Sequence, residues 1–526
     1  MSGAETQQVS TPAGGGSGGS MGYVYLLTTV AALGGLLFGY DTAVIAGAIG
    51  FLQKRFALDA VMTGWAVSAV LVGCMAGVAL TGGLSDRLGR KKVLLLAAVL
   101  FTVSAVGAAL ATSLRELVVA RILGGFAVGA ASIASPLYIA EVAPARIRGQ
   151  LVSLNQIAII AGMLVVSIVN WLIASPDNEA WNVAAGWRWM FASGGVPALF
   201  FLLALFLVPE SPRWLTKQGR ESEAMVVLTR VGGHTKATAQ MIEIKDAITQ
   251  ERPSIPVSWQ WPAFGLVAGG LLWLRWFVQR SHAAGALRPL SLAELSVAVL
   301  VILICAWLGR LLGKTFHLTV KADFRWAGRI AVVLAILQQV TGINAVLYYA
   351  PAIFKSSGAG VTATQALLQT AVLQVVNLAF TLVAIWVVDR AGRKPLLLAT
   401  SAAMGISLVL LGGAFWLQLP PVWIFAFTLA YVASFAVAMG PVVWVVLAEI
   451  FPTRTRGEAM GVATLWLWLA CFAVSQTVPW MFQKLREPVT FWTYAAMCVV
   501  SLGFVAAFVP ETKGKSLEEI ERSWRE

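Results

Sequence analysis

The chain reads as an all-α integral membrane protein built from two similar six-helix bundles, with two extra membrane-spanning helices between them, about 14 spans in all. Three observations lead to this. First, 58% of the 526 residues are hydrophobic and 12% are charged, about half the charge of an ordinary soluble domain. Second, stretch after stretch reaches the roughly 20 apolar residues that cross a bilayer as a helix. Third, the charged clusters between those stretches occur twice. Asp86-Arg87-Leu88-Gly89-Arg90-Lys91 returns as Asp389-Arg390-Ala391-Gly392-Arg393-Lys394, and Glu141-Val142-Ala143-Pro144-Ala145-Arg146-Ile147-Arg148-Gly149 returns as Glu449-Ile450-Phe451-Pro452-Thr453-Arg454-Thr455-Arg456-Gly457. Repeated membrane halves with charged ends are the layout of an alternating-access carrier.

In chain order, residues 1–22 form a polar tail, with only glycine and serine over 14–20; this is flexible and takes no part in the fold. No cleavable signal peptide is expected there. The first bundle, 23–208, holds apolar stretches at 24–50, 61–83, 93–112, 117–139, 150–174 and 187–208. A polar linker, 209–256, has helical periodicity over 221–231 and 239–251. An extra hydrophobic hairpin, 257–325, contributes apolar stretches at 261–278 and 292–312. Two spanning helices are the favoured reading, against which Arg275, Arg280 and Arg288 would lie near an external tip; a hairpin in the interface is the alternative. The second bundle, 326–510, holds stretches at 327–350, 366–388, 395–417, 423–448, 457–480 and 490–510, and a short tail, 511–526, follows. The basic clusters all fall on one face. The positive-inside tendency makes that face cytoplasmic, along with both termini, and the expected location is the cell membrane.

The net charge of +13 does not indicate nucleic acid, because the basic residues sit at helix ends, where they set topology and meet anionic membrane lipid. Cys74, Cys305, Cys471 and Cys498 lie far apart inside apolar stretches, with no metal or disulfide spacing. His234, His282 and His317 fall outside the repeated spans. The sequence has no nucleophile–base set, metal-ligand cluster or phosphate-cradling loop, so an enzyme, a cofactor and a metal are not expected.

Several short motifs occur in a telling order: Gly35-Leu36-Leu37-Phe38-Gly39-Tyr40-Asp41, the Asp86 cluster, Pro209-Glu210-Ser211-Pro212-Arg213-Trp214-Leu215, Gln338-Gln339-Val340-Thr341-Gly342-Ile343-Asn344 and Pro510-Glu511-Thr512-Lys513-Gly514. Together they closely resemble the sugar porter family of the major facilitator superfamily, over about 24–252 and 326–520. The resemblance implies the major facilitator fold and transport of a monosaccharide, hexose or pentose; a monomer is the expected working unit. Uptake coupled to a proton is the favoured form, and passive facilitation is the alternative. A non-transporting sugar receptor is disfavoured, since such receptors tend to have long cytoplasmic tails.

Asp41 lies within the first span, where a carboxylate is costly and an acid is a functional hypothesis by default. Arg121, early in the fourth span, is its expected partner. Opposite charges side by side favour the ionised acid, and separating them favours protonation. A movement that parts the pair would therefore load a proton. The resemblance implies the same, since proton-coupled sugar porters have this aspartate and glucose facilitators typically do not. Bacterial xylose symporters carry a second acid where this chain has Gly194, whereas plant hexose symporters manage with the Asp/Arg pair alone.

A sugar presents a ring of hydroxyls and an apolar face, which calls for amides and aromatic planes. Gln338, Gln339, Asn344 and Asn377 supply amides; Trp444 and Trp468 supply planes. On a regular helix Asn344 would point away from Gln339, but Gly342 between them allows the unwinding that would re-aim it. The resemblance implies that Gln156, Gln338, Gln339, Asn344, Asn377 and Trp444 line the sugar cavity. It also implies that Phe38 forms a wall, that Trp468 lies near, and that Tyr348 gates the outer side. Met163 and Leu467 stand where xylose symporters have glutamines, giving a more apolar cavity. At the basic face, Asp86, Arg90, Glu141, Arg148, Glu210 and Arg213, with counterparts Asp389, Arg393, Glu449 and Arg456, form a candidate gate. Surface pairs worth about 0–1 kcal/mol each would suit a latch that must release.

Overall fold

The computed structural model describes residues 19–174, 178–250, 325–358, 360–451 and 456–513. The expected hairpin over 257–325 lies almost wholly outside them, so the count of about 14 spans is described only for the two bundles. Every regular element among the described residues is helical. Six spans form the first bundle: Met21–Phe56, Ala60–Leu88, Arg90–Leu110, Leu114–Val142, Arg148–Ile173 and Glu179–Phe206. The second begins with Ala327–Ser356, Ala363–Val388, Arg393–Trp416 and Pro421–Glu449.

The last helix, Arg456–Phe508, has 53 residues, about 80 Å at 1.5 Å per residue and far longer than one crossing. Arg486 breaks it with φ 63°, so it makes the eleventh and twelfth spans. The sequence suggested a gap over 481–489 there; the chain instead turns within a single residue. Elsewhere the helices outrun the apolar stretches by several residues, because capped polar turns extend them. Ser20 accepts a hydrogen bond from the Tyr23 N–H, Asp59 from Met62 and Ser113 from Glu116, each satisfying a donor left open at a helix start.

The linker holds three helices, Pro212–Lys217, Glu221–Gly232 and His234–Gln250. The first was not read from periodicity, being too short to show one; Pro212 at its first turn and the Ser211 cap on the Trp214 N–H define it. Trp214, Leu215, Ala224, Val227, Leu228, Ala237 and Met241 give this layer its own small core.

Within the first bundle, the second and fourth spans approach at backbone distance through Gly73 and Gly77 against Gly125 and Gly129; a Cβ on Gly73 would lie 2.0 Å from the Ile122 carbonyl. Small residues at this spacing let helices pack closely in lipid. The two bundles meet along the second and eleventh spans and along the fifth and eighth, with the first span against the later part of the seventh.

Candidate functional site

The seventh span is interrupted where the sequence placed its glycine. One helix ends at Val340 and the next starts at Ile343, with Gly342 at φ 97°, a left-handed conformation that glycine adopts without steric cost. The Tyr494 ring lies against it, and a Cβ there would be 2.7 Å from that ring. The break leaves the Thr341 carbonyl without a helical partner, and the Tyr431 hydroxyl donates to it at 2.9 Å. It also swings Asn344 back toward Gln339: the Asn344 amide donates to Gln339 Oε1 at 2.5 Å and to Cys471 Sγ at 3.1 Å. Gln339 in turn donates to Gln338 Oε1 at 3.3 Å, and Gln338 donates to the carbonyls of Met439 and Gly440 at 2.8 and 3.0 Å. Those carbonyls lie where the tenth span loosens into a π-turn over Phe435–Met439 and resumes as an α-helix at Pro441.

Trp468 stands one turn before Cys471 on the eleventh span, and its ring meets that of Phe38 from the other bundle at 5.7 Å. Phe38 is one turn before Asp41. The Arg121 guanidinium is fully buried; its Nη1 donates to Asp41 Oδ2 at 3.1 Å and to the Asp41 carbonyl at 2.8 Å, and it lies 5.7 Å from the Phe191 ring centre. Amides, aromatic plane, carboxylate and guanidinium thus form one continuous sequence of neighbours across both bundles.

Other expected residues stand apart from this sequence. Asn377 is buried and donates to Gln374 within its own helix at 3.1 Å. Gln156 is half-buried on the fifth span and Trp444 is half-buried one turn beyond Gly440, whereas Tyr348, buried one turn beyond Asn344, joins the sequence through a hydrogen bond with Cys471. Cys471 was read as a packing residue and proves to accept from Asn344; its place one turn after Trp468 was the available signal.

The charged face differs from the expectation of exposed pairs. Arg90 and Glu141 pair at 2.9 Å with side chains only 8% and 6% exposed, and both belong to the first bundle. Asp86 joins Arg90 at 3.3 Å from a far more exposed position. Arg393 pairs with Glu449 at 2.9 Å inside the second bundle. Burial follows from the segments laid over the pairs: Ser211 donates to Glu141, Trp214 Nε1 donates to the Asp86 carbonyl, and Thr512 donates to Glu449 Oε2. Breaking the buried Arg90–Glu141 pair costs several kcal/mol, about 3–5, whereas Glu449 keeps 25% of its side chain exposed in the second pair; each pair joins helices of one bundle.

Glu210 accepts from the backbone N–H groups of Arg90 and Lys91, capping the third span; Glu511 does the same for Arg393 and Lys394 at the ninth. In both places a glycine at positive φ, Gly89 or Gly392, brings the backbone against the carboxylate. Glu511, Ser211 and Thr512 were not singled out from the sequence, although Pro209-Glu210-Ser211 returns as Pro510-Glu511-Thr512, 510 − 209 = 301 residues on. Arg213 is half-buried in the first linker helix and Arg148 is exposed. The side chains of Asp389 and Arg456 lie outside what is described.

On the opposite face the bundles are joined. Ser68 donates to Gln476 Oε1 at 2.8 Å, Gln476 donates to the Val61 carbonyl at 3.0 Å, and Trp65 meets Phe472 edge-on. Beyond this seal lies a cavity of about 420 Å³ bordered by Gln53, Asp59, Thr63, Tyr349, Phe482 and Gln483.

The model of the family described as "Sugar (and other) transporter" matches residues 27–269 and 310–524. The chain is 40% identical to the D-xylose-proton symporter of Escherichia coli strain K12, covering 95% of this chain and 96% of that one. It is 37% identical to the glucose facilitated diffusion protein of Zymomonas mobilis, covering 96% and 98%. Its structure is similar to the inward open conformation of the xylose transporter from E. coli, with a TM-score of 0.75 and 38% identity over 95% of this chain and 100% of that chain. With both bundles matched in sequence and in fold, the chain belongs to the sugar transporter family, as a sugar porter of the major facilitator superfamily.

Proposed function

We propose that this protein imports a monosaccharide across the cell membrane by alternating access, coupled to the entry of a proton, and works as a monomer without a cofactor or catalytic activity. The observation that carries this reading is the Asp41–Arg121 pair at 3.1 Å inside the first bundle, one turn from a Phe38–Trp468 contact that leads to the amides of the second. Gln338, Gln339 and Asn344 offer donors and acceptors to sugar hydroxyls, and Trp468 and Phe38 offer an apolar wall. The amides that now bond to one another exchange those partners for the sugar. Tyr348, Trp444, Gln156 and Asn377 complete the pocket as the bundles rock.

We take the charged face as cytoplasmic. The Ser68–Gln476 seal then closes the outside, and the molecule is open inward. Protonation of Asp41 removes the charge that holds Arg121, and departure of the proton on the inner side restores the pair. Coupling follows if the carrier changes face only when sugar and proton are both aboard or both gone.

The test is uptake of labelled D-xylose and D-glucose into proteoliposomes with and without an imposed proton gradient. Accumulation above equilibrium, abolished by an uncoupler and by Asp41→Asn, is the expected result. Asp41→Asn should still exchange labelled for unlabelled sugar. The similarity to a facilitated diffusion protein supports passive facilitation as the second reading. Equal uptake under both conditions, unchanged in Asp41→Asn, would establish it in place of symport.

A further inference from the structure

Beside Asp41 is a small cavity of about 20 Å³, bordered by Tyr40, Asp41, Phe101, Ser104, Phe191 and Gly194. That is room for about one water molecule. Its polar groups are few and well placed. A Cβ on Gly124 would lie 2.4 Å from Ser104 Oγ and 3.1 Å from Asp41 Oδ1, so the two oxygens are at most 2.4 + 3.1 = 5.5 Å apart. One water donating to both oxygens, with hydrogen bonds of about 2.8 Å set about 105° apart, spans about 4.5 Å, inside that upper limit. Ser104 gives its own proton to the Ala120 carbonyl at 2.8 Å, which leaves its lone pairs to accept. Asp41 Oδ2 is taken by Arg121, and no bond to Oδ1 competes among the described residues. Gly194 forms part of the wall without a side chain; a Cβ there would approach nothing closer than the Phe191 carbonyl at 3.3 Å and the Tyr40 ring at 3.4 Å. The adjacent Tyr40 hydroxyl is held by Ser193 at 2.7 Å, so it closes the cavity without entering the exchange.

We propose that this cavity is a water site that delivers the coupling proton to Asp41 Oδ1, with Ser104 positioning the water and Gly194 making room for it. When the bundles rock so that the cavity meets the aqueous side, its water takes up one proton from that side and passes one to Oδ1, remaining neutral water, while the carboxylate becomes a carboxyl and loses its charge attraction for Arg121. The single carboxylate then needs no second acid to receive the proton. The ionisable groups around the site are Arg121 from the fourth span, Tyr40 and Asp41 from the first, and Cys74 from the second. The third and sixth spans contribute Ser104, Phe101, Phe191 and Gly194, none of which ionises.

This rests on the proton-coupled reading, and Asp41→Asn tests that reading separately. The test of the water site uses the full chain in proteoliposomes with Ser104→Ala, and with Gly194→Val to fill the space. Both accumulation of labelled D-xylose or D-glucose under a proton gradient and sugar exchange without one are measured. Accumulation is expected to fall several-fold, up to about tenfold, the scale of one neutral hydrogen bond, while exchange stays at the wild-type rate. Gly194→Ala, which leaves most of the cavity, should fall less than Gly194→Val. If Asp41→Asn abolishes accumulation and the Ser104 and Gly194 variants accumulate normally, the water site is wrong and symport stands. A parallel fall of accumulation and exchange in correctly folded Ser104→Ala would mark the serine as structural and also overturn the proposal.

Discussion

Glu511 shows how much one side chain contributes at the charged face. Partial burial acts to raise its carboxyl, but the backbone N–H groups of Lys513, Arg393, Lys394 and Thr512 outweigh this and hold it below the ordinary glutamate value. A carboxyl depressed in the folded state stabilises that state fully above its unfolded pKa, and the contribution is lost as pH falls through the depressed value. Thermal unfolding in detergent should therefore show a midpoint that drops in acid, below the ordinary glutamate range, and Glu511→Gln should flatten that drop while lowering the midpoint at neutral pH. A variant that matched the wild-type acid profile would remove the role assigned to this cap. Asp41 was legible in the sequence because a carboxylate inside an apolar span has no bland explanation that is cheap. Cys471 was not, since a thiol among leucines and tryptophans resembles packing until Asn344 is seen bonding to it.

The interrupted seventh span depends on Gly342 twice, for its φ of 97° and for the ring of Tyr494 against it. Gly342→Ala should cost about 1–3 kcal/mol through backbone conformation alone, and more through the ring. The expected readings are a lower melting temperature and a several-fold higher KM for sugar, because Asn344 loses its approach to Gln339. Adding Tyr494→Ala should recover the part due to the ring and leave the part due to φ; no difference between single and double variants would mean the contact is unimportant. The sequence indicated this break through a glycine between two amides. It did not indicate the Arg486 turn, because Gln483 to Glu487 is polar enough to read as a loop while Arg486 alone leaves helical geometry. The helix Pro212–Lys217 escaped for the opposite reason, since six residues carry too little periodicity to detect.

The two-bundle architecture was plain from the duplicated clusters, and the interface between the bundles was not. Gln476 and Ser68 lie 408 residues apart and belong to no repeated motif, so only the fold brings them together. Removing this tie with Gln476→Leu takes away two hydrogen bonds between bundles, each worth about 0.5–1.5 kcal/mol. The closed and open populations should shift by about tenfold toward opening on that face. A cysteine placed at buried Val72, one turn inward of Ser68 on the second span, should then react faster with a membrane-impermeant maleimide added outside. An unchanged rate would mean that other contacts hold the face shut. The seal is made of an amide, a hydroxyl, a carbonyl and two aromatic rings, with no formal charge among them. Mobile ions screen charged pairs and leave neutral hydrogen bonds and apolar contacts nearly untouched, so these contacts should hold from fresh water to brine, while the attraction between Glu179 of the first bundle and Lys355 of the second weakens.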